Sequence, residues 1–223
     1  MARLITILTL LLCSFPICKS LAQVELNAEG RDTAYVRVIL DRATKNITEL
    51  GLVGPEFEAV RNIVANRYFE LNDIYATRDT AIAVAKRTLT GDDKNRAIEA
   101  ARAACDQQLY RTHFAFPARL GMYLNPDQII QVKNGVTMGV VKVTYEATLD
   151  MIPTLTDEEK QQILLWLEEA RELALDAESS KKKHEVFGRY KGRINNYLSA
   201  RGYDLVKERE AWYERIKARG GEI

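Results

Sequence analysis

Residues 155–177 read LTDEEKQQILLWLEEARELALDA, and their spacing decides the fold class. Thr156 and Glu159 are the two ends of a capping box. The threonine hydroxyl accepts from the first turn while the glutamate side chain reaches back to the threonine amide. Behind that start, Ile163, Trp166, Leu167, Ala170, Leu173, Ala174 and Ala177 recur at helical spacing and draw one continuous apolar face. Glu158, Glu159, Glu168, Glu169 and Glu172 read as the solvated side of the same helix.

The same period extends on both sides of this stretch. Toward the C-terminus it predicts a helix from about Phe187 to Ala200, ended by Gly202, and an amphipathic piece over Asp204 to Ala218. Toward the N-terminus it predicts a first helix from Thr33 to Leu50, started at Asp32 or Thr33 and stopped by Gly51. Pro55 opens a second helix. Its stripe of Phe57, Val60, Ile63, Val64, Tyr68, Leu71, Ile74 and Tyr75 continues through Ala81, Val84 and Ala85, with a break expected near Thr77–Thr80. A third helix spans about Lys94 to Phe114, burying Ile98, Ala101, Cys105, Leu109 and His113, and ends at Pro117 and Gly121. A short helix over Ile129, Ile130 and Val132 is closed by Asn134-Gly135. Residues 136–149 break the pattern. Val140, Val141, Val143, Thr144 and Tyr145 favour extended backbone, so an irregular segment or a short strand pair is expected there. The sum is an all-α or nearly all-α fold, an antiparallel helical bundle because most connections are short. One helical domain over 23–223 is expected, with a sub-structure break near 117–153.

Residues 1–22 read as a cleavable export signal. Arg3 is the positive start, Leu4 to Cys18 is almost wholly apolar, and Ser20 and Ala22 place cleavage before Gln23. The apolar run is shorter than the roughly 20 residues of a membrane span. Bulky Ile17 before Cys18 argues against a lipid anchor. The expected product is periplasmic or extracellular. Cleavage would leave Cys105 as the one cysteine, so stability must come from the core. The chain carries 32 basic and 31 acidic residues, and losing Arg3 and Lys19 brings the balance to −1. A near-neutral chain gives no electrostatic case for nucleic acid or a membrane surface. No integral membrane segment is expected after cleavage.

Several catalytic signatures are absent: Gly-x-Ser-x-Gly, the phosphate-cradling Gly-x-x-x-x-Gly-Lys, and Gly-x-Gly-x-x-Gly. His184-Glu185 lacks the second histidine of a zinc helix, since Gly188 stands where it would fall. No catalytic residue, metal ligand or cofactor is therefore assigned. The unusual stretch is 179–203. Phe187, Tyr190, Ile194, Tyr197 and Leu198 form a core stripe, and His184, Gly188, Lys191 and Asn195 form a second line at its border. Gly188 and Gly192 each cost about 1 kcal/mol against alanine in a helix, which close packing or close approach of a ligand would offset. Lys181, Lys182, Lys183, Arg189, Lys191 and Arg193 are opposed only by Glu185. That basic run reads either as a partner of the acidic helix before it or as a site for acidic glycans. The candidate ligand-binding residues are His184, Lys191, Asn195, Lys183, Arg189, Tyr203 and Trp212.

The run Leu155 to Lys160, the segment Lys183 to Asp204 with Phe187 to Leu198 at its centre, Trp212 to Arg215, and the middle segment from Gln131 through Thr137 to Pro153 resemble the family catalogued as domain of unknown function 3826. The resemblance implies an exported protein of Bacteroidota in a setting of complex-carbohydrate breakdown. It carries over no activity. The expected function is a non-enzymatic accessory protein that binds a glycan or a glycan-processing protein. The rival readings are a periplasmic chaperone or adaptor, and a glycan-active enzyme using His184, Lys191 or a nearby carboxylate.

Overall fold

The computed structural model describes residues 23–221, and the expected export signal therefore lies outside the described residues. The chain forms α1 (Thr33–Ile47) with a 3-10 turn (Thr48–Leu50), α2 (Gly54–Thr88), α3 (Gly91–His113), α4 (Ala115–Leu120), α5 (Pro126–Val136), α6 (Val140–Met151), α7 (Asp157–Leu175), α8 (Ser180–Ala200) and α9 (Leu205–Ala218). The described residues contain no strand. The capping box that opens α7 is present on both sides. Glu159 N–H donates to the Thr156 hydroxyl at 3.3 Å, and Thr156 N–H donates to the Glu159 carboxylate at 2.9 Å. Turned back to Thr156 in this way, Glu159 is 4% exposed and does not meet the expectation of a solvated side chain.

Four further local expectations are corrected, the last of them at Gly135. Residues 136–149 are neither irregular nor strand: α6 occupies Val140–Met151. Val140 and Val141 are buried in a core with Ile163, Leu167, Phe187 and Leu198, and that burial outweighs the weak β preference of valine. The Thr148 hydroxyl donates to the Thr144 carbonyl at 2.7 Å, which suits threonine to a helix. Second, α2 runs unbroken through Thr77–Thr80. No glycine or proline lies there, and the Thr77 hydroxyl donates to the Asp73 carbonyl at 2.8 Å. Third, α8 starts at Ser180, well before Phe187, because the Ser179 hydroxyl caps it by accepting from Lys182 N–H.

Two cores result. One is built from α1, α2, α4 and α5 around Ile47, Val60, Val64, Phe69, Leu120 and Val132. The other is built from α6, α7 and α8 around Ile152, Ile163, Leu167, Phe187 and Leu198. The α5–α6 turn joins them. Gly139 sits at φ 65° and Met138 at φ 61°, a left-handed conformation that a non-glycine residue adopts at a cost. Asn134-Gly135 does not close α5 as expected, and Gly135 lies inside it. A Cβ on Gly135 would meet the Asn46 carbonyl oxygen at 2.8 Å and Asn46 Cα at 3.1 Å, so glycine is what lets α5 lie against α1. Gly135→Ala is expected to destabilise the protein by about 2 kcal/mol in urea melts, because backbone on α1 must move. A melt unchanged from wild type would show that α1 and α5 separate freely.

Candidate functional site

The two cores meet at a polar hub. Arg67 of α2 is only 4% exposed. Its guanidinium reaches Asp176 at 2.5 Å, Glu70 at 2.6 Å and the Thr112 hydroxyl at 2.8 Å. Asp176 ends α7 and also holds His113 Nδ1 at 2.7 Å, while its carbonyl accepts from the Tyr75 hydroxyl at 2.6 Å. One carboxylate thus ties α2 and α3 to the α7–α8 corner. Tyr75 is buried enough that its phenol is pushed up to about 12.

Beside this hub a cleft of about 480 Å³ opens between α1, α2, the α5–α6 turn and the start of α8. Its floor is Lys183, 5% exposed, whose ammonium donates to the Val136 carbonyl at 2.8 Å. Val136 ends α5, and its carbonyl is one that a helix C-terminus leaves open to such a donor. The Lys183 ammonium stands 5.5 Å from the centre of the Tyr68 ring, and the Arg42 guanidinium stands 5.5 Å from the same ring. Asn46 Nδ2 donates to the Tyr68 hydroxyl at 2.9 Å. Burial, reinforced by the Arg42 charge, brings the Lys183 amine down to about 8. Burial pushes the Tyr68 phenol up, against the pull of Asn46 and Arg42. The acidic residue that lines the cleft is Glu178, and its carboxylate is turned to Arg78 at 3.1 Å. The cleft is therefore a concave, half-polar space with two cations, and among the described residues no carboxylate is in ion-pair contact with either. Its size falls within the range of ordinary small-ligand sites.

The residues singled out from sequence do not converge on one place. Lys183 is the floor of the cleft. His184, Lys191 and Asn195 lie on the exposed outer side of α8. Arg189 lines a separate depression with Asp106, Asp176 and Glu185. The Tyr203 hydroxyl donates to Glu159 at 2.8 Å and to the Thr154 carbonyl at 3.3 Å, a clamp on the start of α7. Trp212 Nε1 donates to Asp150 at 2.6 Å and so fastens α9 to α6. Arg193 pairs with Glu169 of α7 at 3.5 Å and lies over the Trp166 ring at 4.5 Å, so part of the basic run does face the acidic helix. Sequence reading missed Arg42, Asn46 and Tyr68, which sit on other helices. A usable signal existed for Lys183: it falls four residues before Phe187, on the buried stripe that runs through Tyr190, Ile194 and Leu198.

Among the described residues a Cβ built on Gly188 or Gly192 meets nothing within 4 Å, so no described helix explains either glycine. Gly188→Ala and Gly192→Ala are each expected to stabilise the protein by about 1 kcal/mol in thermal melts. Loss of stability in either variant would mean that an unseen contact uses the bare backbone.

Among the described residues no group of three or more histidine, cysteine or acidic side chains is placed to hold a metal ion. No helix among them is long and apolar enough to cross a membrane. The family model described as a protein of unknown function (DUF3826) matches residues 36–218. No curated protein matches the chain.

Proposed function

The chain belongs to the DUF3826 family, and we propose that it is an exported binding protein whose α1–α2–α8 cleft takes the carboxylate of an acidic oligosaccharide, a uronide. One observation carries this reading. The Lys183 ammonium is buried without an acidic partner in contact, beside a second cation, at the floor of an open cleft. A buried cation is costly unless something anionic meets it, and a ligand carboxylate would be that group. The first turn of α8 supports the same ligand charge. Lys181, Lys182 and Lys183 crowd the positive end of the helix, where an anion is favoured and cations are not. The cleft also offers the amides of Asn46 and Asn72, the hydroxyls of Ser179 and Ser180, and the phenols of Tyr35 and Tyr68. That many neutral hydrogen-bonding groups around two cations suit a polyhydroxylated acid better than a simple fatty acid. Export rests on the three-part pattern of residues 1–22, ending at Ser20 and Ala22.

The test is calorimetric titration with galacturonan, glucuronan, alginate and heparosan oligosaccharides, each beside its carboxyl-reduced neutral counterpart. At least one acidic series is expected to bind, with affinity falling as salt rises, while its neutral counterpart does not. Heat from neutral and acidic forms alike, or from none of them, would overturn the reading.

A further inference from the structure

Resting on the uronide reading above, we propose that the same cleft cleaves 4-O-linked uronides by β-elimination: Arg42 holds the sugar carboxylate, Lys183 removes the C5 proton and Tyr68 protonates the departing oxygen. The geometry that points there is the convergence of three groups on one ring. Lys183 and Arg42 each stand 5.5 Å from the centre of Tyr68, and Asn46 fixes its hydroxyl at 2.9 Å. One cation is enough to hold a carboxylate; with Arg42 in that role, the Lys183 amine and the Tyr68 phenol remain as a base and an acid lining the same cleft.

The chemistry is limited by the weak acidity of C5–H, which is α to a carboxylate. A guanidinium on that carboxylate spreads the charge that develops when the proton leaves. The neutral amine of Lys183 takes the C5 proton, and the electron pair of that bond forms the C4=C5 double bond. The C4–O bond breaks, its pair stays on the departing oxygen, and the Tyr68 phenol supplies that oxygen with a proton. The ammonium of Lys183 then restores the Tyr68 proton through solvent. No water is consumed, and nothing is oxidised or reduced. The products are a 4,5-unsaturated uronide and a sugar with a free anomeric hydroxyl. Burial supports the roles, since it lowers the Lys183 amine to about 8 and keeps the Tyr68 phenol protonated. The charged and titratable groups around Lys183 are Tyr35 and Arg42 from α1, Arg67 and Tyr68 from α2, and, from the α7–α8 corner, Asp176 and Glu178, the latter turned to Arg78. Of the charged ones, the arginines oppose the ammonium and Asp176 favours it.

The test uses whichever oligosaccharides bind in the titration and follows ultraviolet absorbance of the unsaturated product from pH 6 to 10. Wild type is expected to build absorbance, with a rate that climbs with its midpoint near pH about 8 and then levels off, as Lys183 loses its proton. Tyr68→Phe keeps the ring, and should hold its binding constant within about threefold while losing about a hundredfold or more in rate. Lys183→Met should lose the rate and the alkaline climb together. Binding with no absorbance at any pH would overturn this inference and leave the binding reading intact. Absorbance that survives both substitutions would also overturn it. No binding by any oligosaccharide would end the binding reading first.

Discussion

Lys183→Met is expected to make the protein more stable and, in the same molecule, to weaken uronide binding. The two effects have one cause. Lys183 is 5% exposed and its amine titrates near 8 rather than 10.5, which places about 3 kcal/mol of desolvation against the folded state at neutral pH. Methionine has a similar length and no charge to desolvate. It leaves the Val136 carbonyl without its donor, at a cost of about 1 kcal/mol. The balance is about 2 kcal/mol of stabilisation, or roughly 4–8 °C in melting temperature for a chain of this size. Losing the ammonium should weaken uronide affinity about thirtyfold or more, the equivalent of about 2 kcal/mol.

The pH dependence has a definite sign. Below pH 8 both folded and unfolded chains hold the Lys183 proton, and the penalty is complete. Between about 8 and 10.5 the unfolded chain holds more protons than the folded one, so stability rises with pH. Above about 10 the buried tyrosines work the other way, because Tyr68 and Tyr75 resist ionisation when folded, and the protonated folded form loses ground as unfolded tyrosines ionise. Urea melts should therefore show wild type gaining on Lys183→Met between pH 8 and 10. A variant less stable than wild type at pH 7 would mean that the ammonium is a structural strut.

Asp176→Ala is the substitution expected to cost most. It removes one carboxylate from Arg67 and from His113 together and leaves a nearly inaccessible guanidinium short of charge balance. The Arg67 Nε already has no hydrogen-bond partner, so little slack remains on that side chain. Breaking such a buried pair costs about 3–5 kcal/mol, which for this chain length is roughly 6–20 °C. Glu70 and Thr112 stay in place and set the lower end of that range. Arg67→Met combined with Asp176→Leu should recover much of the loss, because apolar replacements of both partners leave no charge stranded. A loss under about 1 kcal/mol from Asp176→Ala, measured by denaturant melts, would show that the two cores dock without the hub.

Much of the helical fold is legible in the chain because its signals are local. The capping box at Thr156 and Glu159 is satisfied within one helix, and the spacing of the stripe behind it can be read without knowing that α6 and α8 bury it. The start of α8 is hard to see because the aromatic stripe begins only at Phe187, and the Ser179 cap alone marks the three lysines before it as helical. The helix α6 was hidden because Val140 and Val141 owe their conformation to partners on α7 and α8. The site was half visible. The basic run drew attention to Lys183, but its neighbours His184 and Lys191 share the composition and face outward. What separates them is the helical register with Phe187, which places Lys183 alone on the buried side. Arg42, Asn46 and Tyr68 carry no local mark. Tyr68 fits the core stripe of α2, and only the approach of α1 through Gly135 brings Asn46 and Arg42 to its ring.

The most direct measurement is a crystal structure of the protein with a bound acidic oligosaccharide. The expected arrangement has the sugar carboxylate within hydrogen-bonding reach of the Arg42 guanidinium and the Lys183 ammonium, with the ring over Tyr68. A sugar seated instead on the outer side of α8 against His184, Lys191 and Asn195, with the Lys183 cleft empty, would contradict it.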